Sequence, residues 1–114
     1  MNYPESDEQK RVIEWCRWNK YPYDRIYAIE NERKATPQQS SRRKAMGVRS
    51  GVSDLFLPIA RQGHHGLYIE MKSKKGTVSK SQEQFIKEVL SEGYIACVCY
   101  SADDAIRVLQ DYCK

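Results

Sequence analysis

An α/β fold is what this sequence predicts, with a mixed sheet of about four strands flanked by helices in the order α-β-(α)-β-β-α-β-α. Three observations predict it. Residues 54–59 and 67–72 alternate apolar and polar at strand period around a glycine-containing turn. Two other segments each open on Ser-x-x-Gln and then carry apolar residues at helical spacing. The continuous apolar run from Tyr94 to Tyr100 lies between helical stretches, where a crossover connection brings a strand parallel to the one before it.

The elements follow in order. Ser6 and Gln9 form a capping-box pattern, and Val12, Ile13, Trp15 and Cys16 share an apolar face, so a helix is expected over about 6–19. Tyr21-Pro22-Tyr23-Asp24 breaks it, and 25–29 has the composition of a strand. Residues 32–51 are polar and basic, and Pro37 can open a short helix there. In the paired strands the odd positions (Leu55, Leu57, Ile59, Leu67, Ile69, Met71) are all apolar, and the even positions include Asp54, Tyr68, Glu70 and Lys72. One face is therefore expected to pack on a core and the other to carry the charges. Ser79 and Gln82 make a second capping box, Phe85, Ile86, Val89 and Leu90 form its stripe, and Gly93 is placed to end that helix. Tyr94 to Tyr100 reads as a buried strand. Ser101 then caps a last helix bearing Ala105, Ile106, Val108, Leu109 and Tyr112. With no repeat or low-complexity tract, residues 1–114 are expected to form a single domain.

At 40% hydrophobic and 30% charged, the chain has the composition of a folded protein. No apolar run approaches the roughly 18 residues of a membrane span, and the N-terminal residues lack the basic and apolar regions of a signal peptide. A cytoplasmic protein with no membrane partner is the expectation. Cys16, Cys97, Cys99 and Cys113 form no Cys-x-x-Cys pair and read as reduced thiols; with His64 and His65 they match no usual zinc spacing. The net charge is +4, but six basic residues (Arg33, Lys34, Arg42, Arg43, Lys44, Arg49) and no acidic one lie between 33 and 49, which leaves the rest at −2. Such a segment is either a solvated loop or a contact for a polyanion.

Asp54, Glu70 and Lys72 carry the chemistry. If the turn 61–66 is centred near Gln62 or Gly63, Asp54 lies opposite Glu70 or Lys72, with Cβ atoms about 4.5–5.5 Å apart. A slip of one residue would send Asp54 to the apolar face. Two carboxylates so placed can share a cation, and an ammonium two residues beyond Glu70 points to the same side. The alternative is a strand end and an ordinary same-face ion pair. Phosphodiester hydrolysis asks for charge compensation at the phosphoryl and leaving oxygens, which a divalent ion gives.

The element order, together with Asp54 and Glu70-Met71-Lys72, resembles the PD-(D/E)XK nuclease superfamily and, within it, a stand-alone VRR-NUC domain. The supporting residues are Asn31-Glu32, Met46 to Asp54, Ile69 to Lys72, Val78 to Gln82 and Glu92-Gly93, and the resemblance spans about 6–108. One departure is Ser53, where the family usually has proline before the aspartate. The resemblance implies a restriction-endonuclease-like core and a Mg²⁺-dependent endodeoxyribonuclease, with Mn²⁺ able to substitute and no small-molecule cofactor. Asp54, Glu70 and the Met71 backbone carbonyl would be metal ligands. Glu8, on the first helix, is a candidate for a second ion or for a water of the first, though a first-turn carboxylate also simply favours the helix dipole. Lys72 would act on the attacking water or on the phosphate charge. Gln82 would orient the water or touch phosphate, unless capping is its whole role.

Arg42, Arg43, Lys44 and Arg49 are the candidate DNA contacts. Stand-alone members resemble Holliday-junction resolvases, so the expected activity is structure-selective cutting of branched DNA by a homodimer, whose two-fold axis gives two sites for two cuts. So compact a nuclease suits a phage or mobile element acting inside its host cell. A flap or nicking nuclease, or a catalytically silent DNA-binding module, is the alternative.

Overall fold

The structure is a computed structural model that describes residues 4–30 and 36–114. Asn31, Glu32, Arg33 and Lys34, which entered the resemblance and the basic run, lie outside the described residues. Among the described residues four α-helices and four strands follow one another: α1 (Glu5–Asn19), β1 (Tyr27–Ala28), α2 (Pro37–Ala45), β2 (Leu55–Leu57), β3 (Leu67–Met71), α3 (Lys80–Ser91), β4 (Ile95–Cys99) and α4 (Ala102–Tyr112). The sheet order is β1-β2-β3-β4, antiparallel between β1, β2 and β3 and parallel between β3 and β4. The parallel pair is joined through α3, which is the connection a crossover requires.

Helix α1 starts one residue before the expected position. Pro4 precedes it, and its carbonyl accepts from Asp7 and Glu8 N–H at 3.0 and 3.1 Å. Ser6 therefore lies inside the first turn, and no side-chain cap forms. The expected strand at 25–29 shrinks to two residues because Tyr23–Arg25 close into a 3-10 turn. The capping box at Ser79 and Gln82 forms in full, and a second one, Thr36 with Gln39, opens α2 at Pro37. Ser101 Oγ accepts from Asp104 N–H and starts α4.

The hairpin register pairs Leu55 with Ile69, Phe56 with Tyr68 and Leu57 with Leu67, which continued by one residue sets Asp54 opposite Glu70. Gln62 and Gly63 at the tip both have positive φ, as a tight two-residue hairpin turn demands. The Gln62 side chain then donates to the Asp111 and Tyr112 carbonyls, and Tyr112 Oη donates to the Ile59 carbonyl at 2.6 Å, so the hairpin is tied to the end of α4.

The odd positions behave as expected. Leu55, Leu57, Leu67, Ile69 and Met71 are fully buried with Val12 and Cys16 of α1 and Ala102, Ala105 and Leu109 of α4. The even face is not the open, charged surface that alternation suggested. Tyr68 packs edge-on against Phe85 of α3 with ring centroids 5.0 Å apart and stacks on Phe56 at 4.3 Å, so aromatic rings and α3 cover that side. Strand β4 is also less buried than its apolar run suggested. It lies at the sheet edge, and only Cys99 is buried. Helices α3 and α4 both pack on it, but among the described residues no strand neighbours its outer rim. All four cysteines are free thiols, and burial pushes Cys16 and Cys99 up to about 12.

Candidate metal and DNA site

The parallel strands β3 and β4 end at the same edge of the molecule, where α3 and α4 begin. Asp54 enters the sheet there, just before β2. Its carbonyl accepts from Ile29 N–H at 2.8 Å and its Oδ2 accepts from Met71 N–H at 2.7 Å. These bonds hold the strand entry that a proline would otherwise stiffen, and Ser53 is itself buried beside it. Asp54 is 4% exposed and Glu70 is fully buried. The two carboxylates therefore sit inside the fold and not on an open ribbon face.

A third carboxylate joins them. Oxygens of Glu5, Asp54 and Glu70 all lie within 4.8 Å of one another. Glu5 is the first residue of α1, one position before the start that the Ser6 capping-box pattern predicts, and so falls outside the sequence-predicted site. A signal was present: Glu5, Glu8, Val12 and Cys16 fall at helical spacing along one stripe. The buried part of that stripe, followed back toward the N-terminus, leads to Glu5.

Glu8 goes elsewhere. Its Oε2 accepts from Ala102 N–H at 3.0 Å and pairs with Arg11 Nη1 at 3.0 Å. Ala102 is the first residue of α4, so Glu8 caps that helix from another one, a favourable place for a carboxylate. Among the described residues the acidic cluster contains Glu5 and not Glu8.

Lys72 follows β3 directly. Its N–H donates to the Cys99 carbonyl at 2.9 Å, which continues the pairing with β4 by one residue, and its side chain passes beside Gly76 in the following turn. Lys72 is half-buried. Gln82 is buried, and its Oε1 accepts from Ser79 N–H at 2.9 Å. The amide oxygen is thereby engaged in the cap, and the amide nitrogen is the group that can still donate to a water or phosphate.

The basic residues divide into two kinds. Arg43 pairs with Glu30 at 3.2 Å, and Arg49 pairs with Glu88 at 3.4 Å. Arg42 and Lys44 are exposed in the last turn of α2, where cations suit the helix dipole. The loop after α2 is pressed onto α3. Gly51 has φ +85°, and a Cβ there would collide with the Ser81 carbonyl. Lys44 and Arg49 line one groove with Ser50, Ser81 and Gln84. His64 and His65 sit at the hairpin end, with His65 edge-on to Tyr94 at 5.6 Å. No described helix is long and apolar enough to cross a membrane.

The VRR-NUC domain family model matches residues 2–103. A solved structure described as a VRR_NUC domain protein is 30% identical, with a TM-score of 0.85, over 98% of this chain and 89% of that one. No curated protein matches the chain. The mixed four-stranded sheet with its four helices is thus a fold shared with that neighbour. The chain belongs to the VRR-NUC domain family and has the nuclease-type, DNA-processing function that goes with it.

Proposed function

We propose that this chain is a divalent-metal-dependent DNA endonuclease that cuts branched DNA such as four-way junctions, working as a homodimer inside the cell. The observation that carries the reading is the meeting of Glu5, Asp54 and Glu70, two of them buried, with oxygens within 4.8 Å. Carboxylates so close repel one another strongly where water is scarce. An all-oxygen donor set of this charge fits a hard cation such as Mg²⁺ or Mn²⁺. Glu5, Asp54, Glu70 and the Met71 carbonyl would hold it. When bound, the ion supplies charge compensation for a phosphodiester under attack.

The chain's own residues do the rest. Met71 N–H fixes the Asp54 carboxylate, so its second oxygen has a set direction. Lys72, two residues beyond Glu70, orients the attacking water or offsets charge on the phosphate. Arg42, Lys44 and Arg49 hold the DNA backbone, reading shape more than base sequence. A second copy of the chain supplies the second site that two symmetric cuts need.

The test is cleavage of labelled four-way junctions, flaps and linear duplexes with Mg²⁺ or with EDTA. The reading predicts junction cutting with the metal, none with EDTA, and a loss of about 10²–10⁴-fold in Lys72→Ala. Binding without cutting in Mg²⁺ and in Mn²⁺ would favour a silent module. Preference for flaps, with sedimentation as a monomer, would overturn the junction and dimer assignments.

A further inference from the structure

A groove of about 410 Å³ opens between the end of α2, the 47–51 loop and the first turns of α3, lined by Lys44, Val48, Arg49, Ser50, Ser81 and Gln84. Among the described residues its lining offers two cations, two hydroxyls and a carboxamide, and no carboxylate. The loop is fixed against α3, because the Gly51 backbone lies on the Ser81 carbonyl with no room for a side chain between them. The loop that walls the groove runs on into the strand entry that carries Asp54. Gly51 is three residues before Asp54, and Ser81 is next to Gln82.

One anion already reaches its rim. Glu88, one turn beyond Gln84 on α3, takes Arg49 Nη2 on Oε2 at 3.4 Å and Gln84 Nε2 on Oε1 at 3.3 Å. Both groups that hold this carboxylate are groove-lining residues. The Arg49 and Glu88 side chains are 61% and 43% exposed, so the pair is weakly held. A phosphodiester offers the guanidinium a fork of two oxygens, a stronger partner than one long contact to a carboxylate.

We propose that this groove seats a backbone phosphate of the DNA strand lying across the acidic cluster, and that Glu88 competes with that phosphate for Arg49. The proposal rests on the nuclease reading above and adds to it a phosphate subsite and a residue that weakens it. Glu88 then limits how long DNA stays bound, which favours release after cutting. Ser50, Ser81 and Gln84 are the neutral partners of the seated phosphate.

The experiment is binding of a fluorescein-labelled four-way junction to the full chain in EDTA, across a salt series. Glu88→Gln should bind about two- to fivefold tighter, the scale of losing one exposed ion pair. Glu92→Gln, which removes the same charge at the far end of α3, should leave affinity unchanged and controls for general repulsion. Arg49→Ala should bind about three- to tenfold more weakly, with a salt slope smaller by about one. In the Arg49→Ala background, Glu88→Gln should no longer tighten binding. A Glu88→Gln gain no larger than that of Glu92→Gln, or one that persists without Arg49, would overturn the proposal. Equal binding by all variants of a protein that still cuts with Mg²⁺ removes the groove alone. A wild-type chain that neither binds nor cuts DNA removes both the groove and the nuclease reading.

Discussion

Glu5 and Glu8 stand three residues apart on one face of α1 and end in different places. Glu5 turns to Asp54 and Glu70, and Glu8 turns to the first N–H of α4. The two should therefore fail differently. Glu8→Ala leaves a buried N–H without its acceptor and should cost about 1–3 kcal/mol of stability, read from urea unfolding. Glu5→Gln removes one of three clustered like charges, so metal-free stability should hold within about 0.5 kcal/mol or rise. Its Mn²⁺ affinity, by calorimetry, should fall by at least roughly tenfold. Loss of Mn²⁺ binding in Glu8→Ala with intact binding in Glu5→Gln would reverse the assignment. The meeting of Asp54 and Glu70 was legible in the sequence because strand parity ties residue type to face. Glu5 was not, because its role depends on where a helix begins. Pro4 opens α1 without a side-chain cap, so Ser6 and Gln9 marked the wrong start.

The elements were mostly legible where local chemistry sets them. Ser79 with Gln82, Ser101 and the Gly93 stop all act as their types dictate. Thr36 with Gln39 carries the same signal and passes unnoticed within a basic stretch. Burial was less legible, because alternation reports residue type and not what packs on each face. Covering by α3 and the aromatic rings made the charged face an interior one. The loop from α2 to β2 is a second nonlocal feature. Gly51→Ala would combine a left-handed φ with a collision against the Ser81 carbonyl, and should cost about 1–3 kcal/mol. It should also shift the entry of Asp54 and reduce cleavage beyond what the stability loss explains. Normal activity in a stable Gly51→Ala protein would show that the loop does not position the site.

For the molecule as a whole, two buried thiols set a pH dependence. Burial raises Cys16 and Cys99 from 9.0 to about 12. Above about pH 9 the unfolded chain gives up these protons while the native chain keeps them, so the unfolded state binds fewer protons and stability falls as pH rises. Urea midpoints should drop as pH rises from about 9 toward about 12, and Cys16→Ala with Cys99→Ala should flatten the drop. An unchanged slope in the double variant would assign the alkaline loss to other groups. A single cation held where the first helix meets the paired strands would be visible by anomalous diffraction from a crystal soaked in Mn²⁺. A single strong peak is expected among the Glu5, Asp54 and Glu70 carboxylates, absent in Asp54→Asn. A peak at Glu8, or none near Glu70 in a fully soaked crystal, would contradict it.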